Sequence, residues 1–440
     1  MVRISGPDAL RIGEAIVGRR LRPRQATYAT FSDTRSEPVD AGIALYFPGP
    51  ASFTGEHVVE LQGHGGPVVM QMLLGEALAR GARMARPGEF TERAFHNGKL
   101  DLAQAEAVAD LISSASSAAA RGALRSLQGA FSDAVKALDR LVLDLRVFVE
   151  AAMDFPEEEV DFLSEGQVGQ RLARIHEAFS NLIENSQQGI LLRDGITVAL
   201  VGEPNVGKSS LLNALSGDER AIVTDVPGTT RDLVHADLSI DGLPVQLVDT
   251  AGLRETADLV EIEGVRRARD QASRADLVVL VVDDRTAADA ADCRVLAELL
   301  QPPLSLEPGR IIRIRNKVDL SGAAAGMLRR NGDDGSAGVV EVRVSARQGM
   351  GIDALKTLIK ARVGYAAEGA AFTARRRHLE ALDQGLMALE RAEALIAEGI
   401  PGELIAEELR EVHRALGSIV GEVTADDLLG EIFASFCIGK

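Results

Sequence analysis

The string Gly202-Glu203-Pro204-Asn205-Val206-Gly207-Lys208-Ser209 follows the apolar run 196–201 and opens an apolar-periodic stretch, 209–215. A G-x-x-x-x-G-K-S loop between a strand and a helix commits this part of the chain to a parallel α/β layer. Its glycines let backbone N–H groups wrap a phosphate chain, and the helix N-terminus adds positive potential. Lys208 is then placed to reach β- and γ-phosphates, and Ser209 to ligate Mg²⁺. Such a loop alone matches by chance often enough to need support, and further motifs follow it in order.

The first is Thr224-Asp225-Val226-Pro227-Gly228-Thr229-Thr230-Arg231-Asp232. A threonine there can close on Mg²⁺ and the γ-phosphate and release after hydrolysis. Thr230 is the expected one, because Thr-Thr-Arg-Asp resembles the switch loop of Era-like translational GTPases. Next, Asp249-Thr250-Ala251-Gly252 ends an apolar strand. Asp249 can hold a water of the Mg²⁺ shell, and Gly252 can offer its N–H to the γ-phosphate. Asn316-Lys317-Val318-Asp319 selects the base, since Asp319 can accept from guanine N1–H and the 2-amino group together. Ser345-Ala346-Arg347 fits the loop that supports the base through a backbone N–H. With Asn205, Val206, Gly207, Lys208, Ser209 and Ser210, these positions form the predicted GTP site.

Ras-like proteins place a Gln after Asp-x-x-Gly to orient the attacking water. Leu253 stands there and cannot do so. The acidic alternatives are Glu255, Asp258, Glu261 and Glu263, and no arginine finger is identifiable.

Around this zone the patterning changes. Residues 1–99 mix short apolar runs with turn signals such as Phe47-Pro48-Gly49-Pro50, predicting strands over 41–47 and 57–61 and a helix over 68–80. Residues 100–193 are helical, with one stripe from Leu124 through Leu127, Phe131, Val135, Leu138, Val142 and Leu145 to Val149 and another from Leu172 to Leu182. Pro156 stops the first helix. The pattern returns after the α/β zone, at Leu379–Leu389 and Ile405–Leu416. Either one bundle is built from both flanks of an insert, or there are two helical domains. Within the middle zone, strands are expected at 196–201, 245–249, 277–283, 311–316 and 339–345, and a mobile surface loop at 321–338. The fold class is thus a small N-terminal α+β domain (1–99), a discontinuous α-helical bundle (100–193 and 365–440) and an inserted α/β P-loop, Ras-like domain (194–364).

Composition excludes several classes. Two cysteines, Cys293 and Cys437, make neither a disulfide framework nor a zinc site, which fits a reducing cytoplasm. No apolar run reaches about 18 residues, so nothing is expected to span a membrane. A net charge of −17 argues against broad electrostatic binding of nucleic acid, leaving only local clusters at 19–24, 266–274 and 375–377. Each cluster reads as a solvated helix or loop face rather than an RNA site.

The whole chain resembles the family of tRNA wobble-uridine modification GTPases (MnmE, also called TrmE). Outside the nucleotide motifs the resemblance rests on Arg3-Ile4-Ser5-Gly6-Pro7, Ser52-Phe53-Thr54-Gly55-Glu56 and Glu60-Leu61-Gln62-Gly63-His64-Gly65-Gly66. It continues through Arg86-Pro87-Gly88-Glu89-Phe90-Thr91-Glu92-Arg93-Ala94-Phe95, Lys99-Leu100-Asp101-Leu102-Ala103-Gln104-Ala105-Glu106 and Asp154-Phe155-Pro156-Glu157-Glu158 to Phe436-Cys437-Ile438-Gly439-Lys440.

The resemblance implies an N-terminal domain that binds 5-formyl- or 5,10-methylene-tetrahydrofolate and pairs with its copy in a homodimer. It implies a flavin- and NADH-dependent partner, MnmG (GidA), and aminomethyl or carboxymethylaminomethyl addition at C5 of the wobble uridine. tRNA would be met mostly through that partner. Matched by position, Arg3, Glu60, Lys99 and Lys440 are folate contacts, with Arg and Lys suiting the glutamate carboxylates and Glu60 the pterin. Cys437 is a possible reactive thiol. A K⁺ ion beside the phosphates is implied, held by Asn205 and the loop positions Thr224, Val226 and Thr229, and Glu261 matches the water-orienting acid. Family members carry roughly twenty more residues, with a first strand, ahead of the Arg-Ile-Ser-Gly string, which predicts that Arg3 sits on a frayed terminus.

A ribosome-assembly GTPase like Era or Der is the alternative of another class, but those carry a KH-type domain or a second GTPase domain, and neither pattern follows residue 364. A folate-dependent transferase with a purely regulatory GTPase is not separable by sequence.

Overall fold

The computed structural model describes all residues except 155–164, 204, 217–234, 250–270, 287–294, 298, 303, 329–338, 367–371, 399–401, 423–425, 435 and 437–440. The chain divides into two compact units, Met1–Ala109, Ser126–Phe179 and Glu380–Lys440 forming one, Asp110–Arg125 and Ser180–Leu379 the other.

The first unit begins with β1 (Val2–Ser5), α1 (Ala9–Val17), β2 (Thr27–Ser32), β3 (Pro38–Phe47), β4 (Val58–Gln62) and α2 (Pro67–Ala79). The strands form an antiparallel sheet of order β1-β4-β3-β2. Alternate residues Val2 and Ile4, Ala29 and Phe31, Ala44 and Tyr46, Val59 and Leu61 meet Ile12, Ile16 and Leu73 of the helices in one core. That two-residue period fixes the register, because a one-residue slip would turn every apolar side chain to the other face. Arg3 is therefore not frayed. It lies opposite Glu60 in the ladder, held there by burial of its neighbours Val2 and Ile4. α3 (Glu89–His96) and α4 (Leu102–Ser113) follow.

The expected stripe from Leu124 to Val149 is broken. α5 (Ser117–Leu127) ends before Gly129, whose φ of 101° no helical residue adopts, and α6 (Ala130–Asp154) starts afresh. Leu124 is exposed, and the buried stripe runs from Phe131 to Val149. α7 (Glu165–Asp194) carries the second stripe across the boundary between the units. The second unit then adds β5 (Ile196–Val201), α8 (Lys208–Ser216), β6 (His235–Ile240), β7 (Leu243–Asp249), β8 (Leu277–Asp283) and β9 (Ile311–Asn316). α9 (Val318–Ser321), β10 (Gly326–Leu328), β11 (Val340–Arg343) and α10 (Ile352–Arg362) complete its α/β part. After it come α11 (Arg376–Ala397), α12 (Gly402–Val420) and α13 (Asp426–Ala434).

α12 packs along α6, and Asp139–His413 and Glu150–Arg410 contacts join them. The flanks of the insert thus build one discontinuous bundle. At its end Leu102, Ala105, Ile432, Phe433 and Phe436 form an apolar cluster, with Phe95 packed against it.

The second sheet has the order β10-β11-β9-β8-β5-β7-β6. β11, β9, β8, β5 and β7 are parallel, and β10 and β6 are antiparallel edges. Every residue of β8 is buried, as a central strand covered on both faces requires. The edges β6 and β10 were not expected, and β10 occupies part of the predicted surface loop, zipped onto β11 by Gly326↔Arg343 and its neighbours.

Candidate nucleotide-binding site

The site lies where β5, β7, β8 and β9 all end, at the carboxyl edge of a parallel sheet, where ligands of such sheets bind. Val201 ends β5, and the loop to Lys208 delivers the first turn of α8, whose N–H groups have no partner within the helix. Asn205 takes a φ of 63°, which Asn tolerates better than most residues. Gly207 has φ 100°, and a Cβ there would stand 2.3 Å from Nδ2 of Asn316. Glycine is required at 207 because another motif's side chain occupies the space.

That side chain is the keystone. Asn316, 2% exposed, donates from Nδ2 to the carbonyl of Val206 at 2.9 Å and accepts at Oδ1 from the N–H of Ala346 at 3.0 Å. One amide thus joins the P-loop to the Ser345-Ala346-Arg347 loop. Lys317, with φ 69°, caps α9 and donates from Nζ to the carbonyl of Asn205 at 2.7 Å and to Oδ2 of Asp283 at 2.8 Å. Asp319, in the first turn of α9, accepts from Ser345 Oγ at 2.6 Å. Three sequence motifs far apart in the chain are therefore drawn together by their own polar groups, with Asp283 bracing one of them.

Lys208 is 6% exposed and folds back onto the loop, with Nζ 2.7 Å from the carbonyl of Gly202 and 2.9 Å from that of Glu203. Ser209 and Ser210 are exposed in the same helical turn. Asp249 closes β7, its backbone in register with Leu200, beside the P-loop strand. Thr224, Asp225, Val226, Pro227, Gly228, Thr229, Thr230, Thr250, Ala251, Gly252 and Glu261 lie outside the described residues.

Sequence reasoning missed Asp283 and Arg285. Arg285 donates to Asp283 from Nε at 3.0 Å and Nη2 at 2.8 Å. This hydrogen bonding, opposed by burial and reinforced by Lys317, holds the Asp283 carboxyl far below the usual carboxylate range. The signal available was the Asp283-Asp284 pair that follows the apolar run 277–282.

In the first unit, Arg3 meets Glu60 directly, with Nε 2.9 Å from Oε1, and its guanidinium lies about 6 Å from the rings of Phe53 and Phe90. The residues expected at opposite ends of a folate are thus paired with each other, because they face one another across β1 and β4. Lys99 lies beside Gly55. Cys437 and Lys440 are outside the described residues, although Phe436 is anchored against the α3–α4 region. Among the described residues, no helix is long and apolar enough to cross a membrane.

Comparison with known proteins covers the whole chain. Residues 1–99 match the family described as GTP-binding protein TrmE N-terminus, and residues 102–437 match the MnmE helical domain. The tRNA modification GTPase MnmE of Pseudomonas aeruginosa (strain UCBPP-PA14) is 53% identical over 443 residues, covering 100% of this chain and 95% of its own. That of Pseudomonas entomophila (strain L48) is 54% identical over 444 residues with the same coverage. Among solved structures, the G domain of the T. maritima FeoB iron transporter is 28% identical, covering 38% of this chain and 98% of its own at a TM-score of 0.29. Matched over its full length by close relatives and along nearly all of it by two family models, the chain belongs to the tRNA modification GTPase MnmE family.

Proposed function

We propose that this GTPase hydrolyses GTP to drive a folate-dependent modification at C5 of the wobble uridine in tRNA. The observation that carries the nucleotide part is the Asn316 amide, which ties the phosphate loop to the base-supporting loop. Asp319, oriented by Ser345, reads the guanine edge. Lys208 exchanges its carbonyl partners for the β- and γ-phosphates, and Ser209 with Thr230 would hold Mg²⁺. Asn205, with Thr224, Val226 and Thr229, would hold K⁺. Both ions supply positive charge to the phosphates when bound. Glu261 orients the attacking water in place of the absent glutamine.

The same reading gives the N-terminal unit a tetrahydrofolate one-carbon donor, met by the Arg3–Glu60 pair, Lys99 and Lys440. It assigns a homodimer, a flavin- and NADH-dependent MnmG partner that carries most of the tRNA contact, and a cytoplasmic setting. Cys437 is the thiol nearest the end of the chain for the modification chemistry. The test is nucleoside analysis of tRNA from cells lacking this protein, rescued with the wild type or with Lys208→Ala. Restored C5 modification by the wild type alone is expected, and full rescue by Lys208→Ala rejects the coupling.

A further inference from the structure

We propose that Asp283 is a positioning residue for guanine-nucleotide binding, acting by holding the Lys317 side chain across the seam between the phosphate loop and the base-reading loop. The proposal rests on the guanine-site reading above. Asp283 is the last residue of β8 and pairs in register with Asn316, the last residue of β9. The carboxylate is therefore delivered next to Lys317 by the sheet itself rather than by a loop.

Asp283 is fixed before it meets the lysine. Its side chain accepts from the N–H of Arg285 at 3.1 Å and from that residue's guanidinium, and its carbonyl accepts from Thr286 N–H at 3.0 Å. At 7% exposure it has few alternative partners in water. Lys317 is the flexible member, with four methylenes between backbone and charge. Its ammonium sits between Oδ2 of Asp283 and the carbonyl of Asn205, at 2.8 and 2.7 Å. A neutral carbonyl alone is a weak hold on an ammonium, whereas a buried-edge carboxylate gives a charge-assisted bond. The ammonium is thus tethered from α9 back to the P-loop, and the methylene stem behind it would serve as an apolar surface at the base end of the site. Without Asp283, the stem regains its rotamers and the surface must be reassembled each time nucleotide binds.

The expected readout follows from where Lys317 lies. It touches the base end and the Asn205 carbonyl, not the attacking water, so the loss falls on KM for GTP and on Kd for GDP rather than on kcat. Asp283→Asn keeps the shape and removes the charge, and should raise both constants roughly tenfold. Arg285→Ala, at a half-exposed side chain that leaves the core intact, should raise them by a smaller factor. Neither change should add to the loss already caused by Lys317→Ala, because the route runs through that lysine. The experiment is GDP titration and steady-state GTP turnover of the full chain for the wild type, the three single variants and the two doubles with Lys317→Ala. Unchanged KM in Asp283→Asn, a loss confined to kcat, or a loss of equal size in the Lys317→Ala background would each overturn the proposal. A wild-type chain that binds no guanine nucleotide in the same assay rejects the site reading and this inference with it.

Discussion

Ser345 Oγ donates to Asp319 Oδ1 at 2.6 Å, and Ser345 Oγ itself accepts from the N–H of Gln348 at 3.2 Å. The carboxylate proposed to read the base is thus aimed by a hydroxyl whose own position is set by the following turn. Asp319→Asn should weaken GTP binding and favour xanthosine triphosphate, with discrimination shifting by up to roughly 10⁴-fold. Ser345→Ala should cost less, roughly tenfold, since it removes an orienting bond and not the reader. A competition titration of the two triphosphates checks both, and an unchanged preference in Asp319→Asn rejects the assignment.

Gly207→Ala should disrupt the site through Asn316. The new methyl would enter the space of Asn316 Nδ2, and φ at 207 is already in the left-handed region. Strain of about 1–3 kcal/mol and loss of measurable GTP binding are expected. Adding Asn316→Ala should recover part of the stability, as read by urea unfolding, but not the binding. Recovery of binding in the double variant contradicts this account.

Turnover should depend on the monovalent cation. An arginine finger is worth roughly 10³- to 10⁵-fold, and a bare cation should give less because it lacks directed hydrogen bonds. GTP hydrolysis at matched ionic strength should be faster in K⁺ than in Na⁺, with the GTPase domains pairing in the transition state. Asn205→Ala should lose most of that response while binding nucleotide. Glu261→Ala should lose turnover yet still pair in GDP with aluminium fluoride. Equal rates in the two salts sink the cation reading, and an active Glu261→Ala returns the water-orienting role to Glu255, Asp258 or Glu263.

Acid should loosen the N-terminal region through Glu89. This carboxylate, 3% exposed, is held down to about 2 from an ordinary 4.5, first by the hydrogen bond from Arg83 and then, against desolvation, by Arg86 N–H and Arg93. A depressed acid stabilises the fold at pH values above its unfolded pKa, and that contribution is lost as pH falls through the folded value. Glu89→Gln should therefore be less stable than wild type at about pH 6, with the difference shrinking towards about pH 2. Urea unfolding followed by circular dichroism at both ends measures it, and a pH-independent gap contradicts it.

Deleting Cys437–Lys440 should abolish wobble-uridine modification and spare GTP binding. Phe436, buried in the cluster with Leu102 and Phe433, keeps its own packing in the shortened chain. Normal modification by the shortened chain takes the tail out of the mechanism.

The nucleotide motifs were legible because each is a dense local string whose partners are its own backbone and the other motifs. Asn316, Asp319 and Ser345 could be placed from spacing alone. Asp283 could not, since its role depends on lying beside Asn316 in the β8–β9 register, which no local pattern encodes. Arg3 failed for the related reason that an edge strand is secured by its ladder with β4, not by its position in the chain. The apolar stripe ran on through Gly129 because spacing of three and four survives a break that only backbone geometry reveals. β6 and β10 were missed as sheet edges, because β6 mixes polar with apolar residues and β10 is three residues long, so that strand and loop look alike in sequence.

The α6–α12 contact carries a consequence for how the chain is made. Asp139 and His413 meet although 274 positions separate them, and the nucleotide-binding insert lies wholly between. At synthesis rates of roughly 5–20 residues per second, α6 leaves the ribosome tens of seconds before α12 exists. For that interval its stripe from Phe131 to Val149 has no native cover on that side, while the insert has every strand it needs to fold. The insert is thus the earlier folding unit and α6 the segment that waits, so nascent chains stalled before residue 402 should be cleaved by protease in α6 and spared in β5 and β8. Selection on the helical flanks then acts on their behaviour while unfinished, and a surface charge near α6 can matter for yield without touching the finished enzyme.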